Sequence, residues 1–441
     1  GFTSGHWGHY FSPPLDHNGK KVRGNGYVVD DFTDHAIDFI EANHEDPFFC
    51  YIPYNTPHSP MMISDEYYGK FEGVDPAMQH RDPKQEDVMM TRAALAMCEN
   101  IDWNVGRVLK KLDELHLGEN TIVVYFSDNG PNSYRWNGGM KGRKGAIDEG
   151  GLRSPLFIRW AGSIPAGAKL TQVTSAIDLL PTLTGLVGIT YDGSKSLDGR
   201  SFRSLLLGEN ADWASRNLFS IKGKQVSVRT QRFRLDATGQ LFDIEADRGQ
   251  HQNVAGMYPE IATELKSQAK RHNEAMQKDF QQYASRPFTV GYGQSTTLPA
   301  RDGVEHGTIK RSSKAPNNSF FTHWTSVDDF ISWDVEVGRE GIYEVTVFYT
   351  CAAGDERATV QLSMEHGDSV QAKVIEVFDP PLYDKSKERM AESHYFVKDF
   401  IPLRLGALQL EAGRGTLRLS ALNIKGERVI DVHSLELKLI D

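Results

Sequence analysis

The stretch that decides the fold is Thr121-Ile-Val-Val-Tyr-Phe-Ser-Asp-Asn-Gly130, an apolar run that ends in polar and turn-forming residues. Pro47-Phe-Phe-Cys-Tyr-Ile-Pro-Tyr54 is a second such run, and Asn-Thr-Pro-His58-Ser-Pro60 follows it. Short, nearly continuous apolar runs are typical of buried parallel strands. Between them, apolar residues spaced by four and three predict a helix from about Ala94 to Leu115, and an earlier helix is predicted over Asp31–Asn43. This order predicts an α/β fold with a doubly wound parallel sheet.

The patterns change twice further along the chain. Residues 1–215 carry the alternating helices and strands, whereas 216–295 combine short strand patterns with a polar helix. The second region therefore predicts a small antiparallel sheet with a packed helix. Residues 285–303 are rich in Gly, Pro, Ser and Thr and resemble a linker. From 305 to 441 apolar residues alternate with polar ones, which predicts an all-β sandwich or jelly roll.

Composition excludes some classes of protein. The 441 residues carry a net charge of -10, which argues against a general nucleic-acid binder but allows a locally basic site for an anion. No apolar run approaches the roughly 18 residues needed to span a bilayer, and no signal peptide is visible. Cys50, Cys98 and Cys351 show neither a disulfide framework nor zinc spacing.

The residues that could carry chemistry follow the two predicted strands. Ligands bind beyond the carboxyl ends of strands in open parallel sheets, so His58 and the Asp128-Asn129 pair fall where a site is expected. Asp128 and Asn129 offer oxygen ligands suited to Ca²⁺ or, as the second choice, Mg²⁺. Taken singly, Asp-Asn-Gly is also an ordinary turn signal, and a His beside prolines is an ordinary loop residue.

A glycine-rich loop adds positive charge to this set. Residues 138–151 place Lys141, Arg143 and Lys144 among six glycines, and such cations suit a sulfate or phosphate oxyanion. A flexible solvated loop is the alternative interpretation of this stretch. With an imidazole and hard oxygen ligands at the same sheet edge, the combination predicts hydrolysis of a sulfate or phosphate ester.

These motifs in this order resemble the sulfatase family of the alkaline phosphatase superfamily. The resemblance runs over roughly residues 1–255 and includes Ile177-Asp-Leu-Leu-Pro-Thr182. It implies that Asp128 and Asn129 bind calcium, that His58 contacts the substrate and its leaving group, and that Lys144 contacts the sulfate. Ser12 or His9 corresponds more loosely to a further substrate contact, and the resemblance gives Lys141 and Arg143 no role.

The sequence departs from the family at the nucleophile. Sulfatases use a formylglycine made from Cys or Ser in a Cys/Ser-x-Pro/Ala-x-Arg motif. None of the three cysteines begins one, and the one serine match, Ser267-Gln-Ala-Lys-Arg271, lies in the predicted polar helix, beyond the stretch that resembles the family. The family's early aspartate pair is absent as well. We therefore expect an N-terminally truncated sulfatase whose formylglycine and remaining metal ligands lie in the missing part. A protein that naturally lacks the nucleophile is the alternative.

The C-terminal region resembles the galactose-binding-like β-sandwiches of polysaccharide-acting sulfatases. Trp324 either stacks on a sugar there or fills the sandwich core. The resemblances together imply a secreted or periplasmic enzyme acting on a sulfated glycan. Two alternatives remain open: a non-catalytic carbohydrate-binding protein on a sulfatase scaffold, and a phosphodiesterase or phosphonate hydrolase of the same superfamily.

Overall fold

The computed structural model of the protein describes residues 2–4, 9–18, 20–209, 212–282, 286–313, 319–365, 367–390 and 398–440. The α-helices are α1 (Val28–Ala42), α2 (Asp65–Tyr68), α3 (Val88–Glu114), α4 (Glu149–Leu152), α5 (Leu179–Leu186), α6 (Arg203–Leu206) and α7 (Pro259–Gln282). None of these helices offers a stretch long and apolar enough to cross a membrane.

In the described residues before 286, the strands form three sheets, each antiparallel. They are β1 (Phe2–Ser4), β2 (Pro14–His17) and β3 (Lys20–Arg23) in one sheet, β4 (Val123–Phe126) and β5 (Leu156–Arg159) in the second, and β6 (Leu218–Lys222), β7 (Gln225–Arg229), β8 (Phe233–Leu235) and β9 (Leu241–Asp243) in the third.

Two predicted helices of the N-terminal part are confirmed, and they pack on each other. The side chain of Asp87 accepts a hydrogen bond from Met90 N at 3.1 Å, which caps the first turn of α3. The buried stripe of α3, which includes Met97 and Ile101, joins a core with Val29 and Phe32 of α1. The amphipathic period in the sequence therefore reports the face that is buried.

The predicted buried parallel strand at 47–54 is wrong. The structure assigns no strand to these residues, and Phe49 and Tyr51 are 81% and 70% exposed. The second predicted strand exists as β4, but it pairs antiparallel with β5, and its Phe126 is exposed. An apolar run becomes a buried strand only when neighbouring strands supply hydrogen bonds and cover its faces. The described residues before 216 supply no parallel neighbour, so the predicted doubly wound sheet is not observed among them.

The small sheet-and-helix region agrees with its prediction. Strands β7 and β8 occupy the predicted positions, and α7 packs on the four-stranded sheet. Val228, Leu235 and Leu241 from the sheet share a core with Ala262 and Leu265 of α7.

The strands after residue 286 form two six-stranded sheets that share one apolar core. The first contains β10 (Phe288–Val290), β12 (Val304–His306), β15 (Phe330–Val337), β17 (Thr359–Met364), β18 (Ser369–Lys373) and β20 (Gly413–Asn423). The second contains β11 (Ser295–Pro299), β13 (Lys310–Arg311), β14 (Phe321–Thr322), β16 (Gly341–Thr350), β19 (Ile401–Leu410) and β21 (Asp431–Leu439). The all-β region is thus confirmed, with alternate residues of β15 buried as the period of two predicts.

The predicted linker at 285–303 is wrong. Within it, β10 pairs parallel with β15, and β11 pairs antiparallel with β21. Val290 and Leu298 are completely buried, so this stretch belongs to the sandwich. Local composition indicated a linker. The pairing that stabilises these residues is made with strands far along the chain, so the local sequence does not reveal it.

Trp324 lies in the core of the sandwich and is only 1% exposed. It therefore fills the interior and presents no face on which a sugar could stack. The alternative in which this side chain is a core residue is the one observed.

Candidate functional site

The loop that carries His58 is held by its own backbone and by a tyrosine. The hydroxyl of Tyr10 donates to the carbonyl oxygens of His58 and Ser59, at 3.1 Å each. Nδ1 of His58 lies 2.8 Å from Ser59 O. Because a carbonyl oxygen only accepts, Nδ1 carries the proton, and Nε2 is the ring nitrogen that changes protonation. The loop thus fixes which nitrogen of His58 is suited to proton transfer.

The Asp128-Asn129 turn packs closely against the end of the glycine-rich loop. Gly130 N donates to Gly151 O at 3.0 Å, and a Cβ on Gly130 would lie 1.9 Å from Gly150 O. Only glycine permits this approach, which explains the residue after Asn129. Asn129 Nδ2 donates to Gly130 O at 2.8 Å, which leaves its Oδ1 as the side-chain atom suited to a cation.

The glycine-rich loop brings Lys144 beside that turn. Lys144 N donates to Pro131 O at 2.8 Å. The structure therefore joins two of the predicted motifs, 127–131 and 138–151, through backbone hydrogen bonds. The roles of Lys144, Asp128 and Asn129 toward a ligand stay predictions.

The other two cations of the loop have structural partners. Lys141 Nζ lies 3.1 Å from Asp236 Oδ2 and 3.4 Å from Asp148 Oδ1. The Arg143 guanidinium lies 4.5 Å from the centre of the Tyr134 ring and donates to Asn132 O. These contacts give Lys141 and Arg143 a place in the packing of the loop.

The sequence interpretation assigned no role to Glu149, which anchors the loop to the small sheet. Its carboxylate is 3% exposed and accepts from Arg234 at 2.7 and 2.9 Å and from Arg229 at 3.2 Å. Burial alone raises the pKa of Glu149, but Arg234 and Arg229 outweigh it, so its pKa lies below the usual range. Burial also lowers the pKa of Arg229, and the charge of the neighbouring Arg234 guanidinium lowers it further. The signal in the sequence was the acidic pair Asp148-Glu149 at the end of a basic loop.

The more loosely predicted contacts, Ser12 and His9, have other partners. Ser12 has a positive φ of 44°, and its hydroxyl accepts a hydrogen bond from Gly26 N at 3.3 Å. His9 Nε2 lies 2.9 Å from Asp384 O of the sandwich region. Substrate contact by either residue remains a prediction.

The candidate metal ligands are two oxygen donors. Asp128 is exposed, and the Nδ2 atom of Asn129 donates to Gly130 O, so its Oδ1 is the acceptor atom of that side chain. Within the described ranges, no group of three or more His, Cys, Asp or Glu residues could hold a metal. Calcium takes about six to eight oxygen ligands, so this pair fits the chemistry of the ion but supplies only part of its shell.

The three cysteines do not resemble activated nucleophiles. Desolvation raises the pKa of Cys50 and Cys98, and it raises that of Cys351 to about 11. A thiol must ionise to attack, so raised pKa values disfavour this role.

A cleft of about 390 Å³ adjoins the glycine-rich loop. Its walls include the ring of Tyr134. They also include the basic side chains of His80, Arg81, Lys141 and His251. Aromatic and cationic groups together suit an anionic sugar.

Comparison with known proteins supports the interpretation of these motifs. The family model described as Sulfatase matches residues 3–189. Steryl-sulfatase of Homo sapiens is 32% identical over 189 residues, which cover 40% of this chain and 29% of that protein. N-acetylgalactosamine-6-O-sulfatase of Bacteroides thetaiotaomicron is 26% identical over 273 residues, covering 54% of this chain and 49% of that protein. The chain thus spans less than half the length of these two curated relatives.

A solved structure is similar at the level of fold and sequence. Ps i-CgsB in complex with k-i-k-neocarrahexaose superposes with a TM-score of 0.52 and is 26% identical. The similarity covers 59% of this chain and 58% of that one.

Proposed function

The N-terminal part of this chain belongs to the sulfatase family, and on that premise we propose that the protein hydrolyses sulfate esters of a carbohydrate. The observation that carries the proposal is the pair of backbone hydrogen bonds that hold the Lys144 loop against the Asp128-Asn129 turn. They hold the backbone of Lys144 beside the turn, and the proposal takes the Lys144 ammonium group and the Asp128 and Asn129 oxygens to act on one ligand. A sulfate ester requires such charges around the oxygens of its sulfuryl group.

Each residue has a separate task in this proposal. Lys144 binds a sulfate oxygen and stabilises the charge that develops on it. His58, protonated at Nε2 in its imidazolium form, donates a proton to the departing alcohol oxygen. Asp128 and Asn129 hold a calcium ion, which supplies further positive charge to the sulfate oxygens when bound.

The nucleophile is proposed to be a formylglycine supplied by residues outside these 441. No Cys/Ser-x-Pro/Ala-x-Arg motif precedes the family motifs in this sequence, and the one match, Ser267-Gln-Ala-Lys-Arg271, lies on α7, outside the residues that the family model matches. The raised thiol pKa values of Cys50, Cys98 and Cys351 support the same assignment.

The substrate class is proposed from three supports. One relative is named for N-acetylgalactosamine 6-O-sulfate chemistry, and one similar structure holds a neocarrahexaose. In this chain, the cleft beside Lys141 combines Tyr134 with basic side chains, which suits a sulfated sugar. The same proposal places the protein in the periplasm or outside the cell, where it would meet such a substrate.

The test is an assay of the chain joined to the polypeptide encoded immediately upstream. We expect release of sulfate from an aryl sulfate and from sulfated oligosaccharides, and much slower release of phosphate from the aryl phosphate. Lys144→Ala should lower kcat by about 10²–10³. Arg143→Ala, a cation of the same loop with a packing role, is the matched control and should change kcat by roughly threefold or less.

Three outcomes would contradict the proposal or one of its assignments. Faster cleavage of the phosphate ester would favour a phosphodiesterase. Glycan binding with no turnover in the extended protein would favour a non-catalytic scaffold. Unchanged turnover in Lys144→Ala would remove the assigned sulfate contact.

A further inference from the structure

Residues 383–390 leave the β-sandwich between β18 and β19 and lie against the N-terminal part of the chain; we call them the arm. The sandwich holds the chain on both sides of it. Before the arm, Phe378 and Cys351 exchange backbone hydrogen bonds of 2.8 and 2.9 Å. After it, the buried Lys398 Nζ lies 3.1 Å from Asp379 Oδ1 and 2.8 Å from Asp431 Oδ2. Lys398 therefore ties both sides of the arm to the sandwich.

The arm pairs with the backbone that follows the His58 loop. Arg389 N donates to Met61 O at 3.0 Å, and Ile63 N donates to Lys387 O at 3.4 Å. Between these bonds, Met61 N donates to the carboxylate of Glu388 at 2.9 Å. Met61 and Ile63 are 2% and 1% exposed, so these backbone groups would lose their partners without the arm.

Charged side chains reinforce the backbone pairing. Arg389 Nη2 donates to Ile63 O and to Asp65 Oδ1, at 2.6 Å each. Lys387 Nζ lies 2.6 Å from Asp65 Oδ2. Hydrogen bonds from Lys387 and Arg389 lower the pKa of Asp65 to about 2. Asp65 is exposed, so the ion pairs alone contribute little, whereas the Arg389 side chain is only 13% exposed and bonds a buried carbonyl.

A second set of contacts fixes the arm beside the start of the chain. Arg23 donates to Tyr383 at 3.0 Å and forms an ion pair with Asp399 at 3.2 Å. His9 Nε2 lies 2.9 Å from Asp384 O. The same N-terminal segment carries Tyr10, which binds the carbonyls of His58 and Ser59.

The His58 loop is thus held on both sides. Tyr10 holds the backbone at His58, and the arm holds it at Met61, with only Ser59 and Pro60 between them. A shift of Met61 must therefore be absorbed within two residues or passed to His58.

We propose that the arm is a positioning element of the site, in which Glu388 and Arg389 of the β-sandwich hold the loop that presents His58. The sandwich region then contributes to the chemical step. The claim that the arm positions His58 for catalysis rests on the proposed function. The claim that the arm stabilises the loop does not.

The test measures these two claims separately in the extended protein. Arg389→Ala should speed amide hydrogen exchange of residues 58–63 roughly tenfold. It should lower kcat for an aryl sulfate about tenfold to a hundredfold, because His58 is displaced, with KM nearly unchanged. Arg389→Lys keeps the pair with Asp65 and should partly restore both the slow amide exchange and kcat. Such a partial recovery would show that the effects of Arg389→Ala do not come from misfolding. Arg414→Ala breaks an exposed ion pair with Glu336 elsewhere on the sandwich and is the matched control.

The outcomes are distinguishable. Unchanged exchange at residues 58–63 in Arg389→Ala would overturn the hold on the loop. Faster exchange with unchanged kcat would overturn the positioning of His58. If the parent protein cleaves no sulfate ester, the proposed function fails and the claim about catalysis fails with it, while the exchange data still decide whether the arm holds the loop.

Discussion

Replacing Glu149 with Gln tests whether one buried carboxylate holds the glycine-rich loop on the small sheet. The change keeps the size of the side chain but removes the charge that faces Arg234 and Arg229. The side chains of both arginines are largely buried, at 4% and 11% exposure, so each would keep a poorly compensated charge. Removing one member of a buried ion pair costs about 3–5 kcal/mol, and we expect about 3 because Gln retains an acceptor oxygen.

Differential scanning calorimetry is the suitable assay, because it separates the transitions of a chain with several domains. A loss of about 3 kcal/mol should lower the melting temperature of the affected region by roughly 6–12 °C. Arg153→Ala is the matched control, since Arg153 contacts the same carboxylate from an exposed position, 47% accessible. Its loss should cost less than about 1 kcal/mol.

A Glu149→Gln protein that melts within about 2 °C of the parent would refute this reasoning. Such a result would mean that solvent or neighbouring groups compensate the two arginines when the carboxylate is gone. A large effect of Arg153→Ala would likewise show that the exposed pair, rather than the buried one, stabilises the loop.

Further predictions concern the metal, pH and the sandwich core. The 441-residue chain should bind Ca²⁺ no more tightly than about 10⁻³ M by calorimetric titration, and Asp128→Ala should abolish the binding heat. The buried Asp178 has a pKa below its ordinary 3.8, because the hydrogen bonds from Arg216 and two backbone amides outweigh burial. Its contribution is present above pH 3.8 and lost as the pH falls through the lower folded value, so Asp178→Asn should destabilise the protein to urea at pH 7 and much less near pH 2. Leu419→Ala in the core should cost about 2–5 kcal/mol in urea unfolding, against less than about 1 for the exposed Leu422→Ala. Equal effects of the two leucine variants would contradict the assigned burial.

The parts of the fold that the sequence predicts are those in which each element buries one face. The stripe of α3 and the alternation of β15 appear directly as periods in the sequence. The run at 47–54 lacks such a period, and its hydrophobicity alone does not tell whether neighbouring strands exist. Phe49 and Tyr51 are exposed, so whether this run forms a buried strand depends on residues outside it.

The candidate site divides in the same way. Local motifs identified His58, Asp128 and Lys144. Backbone hydrogen bonds join the loop that carries Asp128 to the loop that carries Lys144. The role of Glu149 depends on Arg229 and Arg234, which are remote in sequence. Trp324 lies in the loop after β14, and its interior position likewise depends on core residues of both sheets that are remote in sequence.

Strands β10 and β11 have a practical consequence for any fragment of this protein. Because one pairs with β15 and the other with β21, a fragment that begins at residue 305 removes a strand from both sheets at once. Each cut would expose unpaired backbone groups beside apolar side chains, which is how strand edges promote aggregation. A fragment made to study glycan binding should therefore begin at residue 286, and exchanging the β-sandwich at a boundary within its own Gly- and Ser-rich stretch would disrupt both sheets.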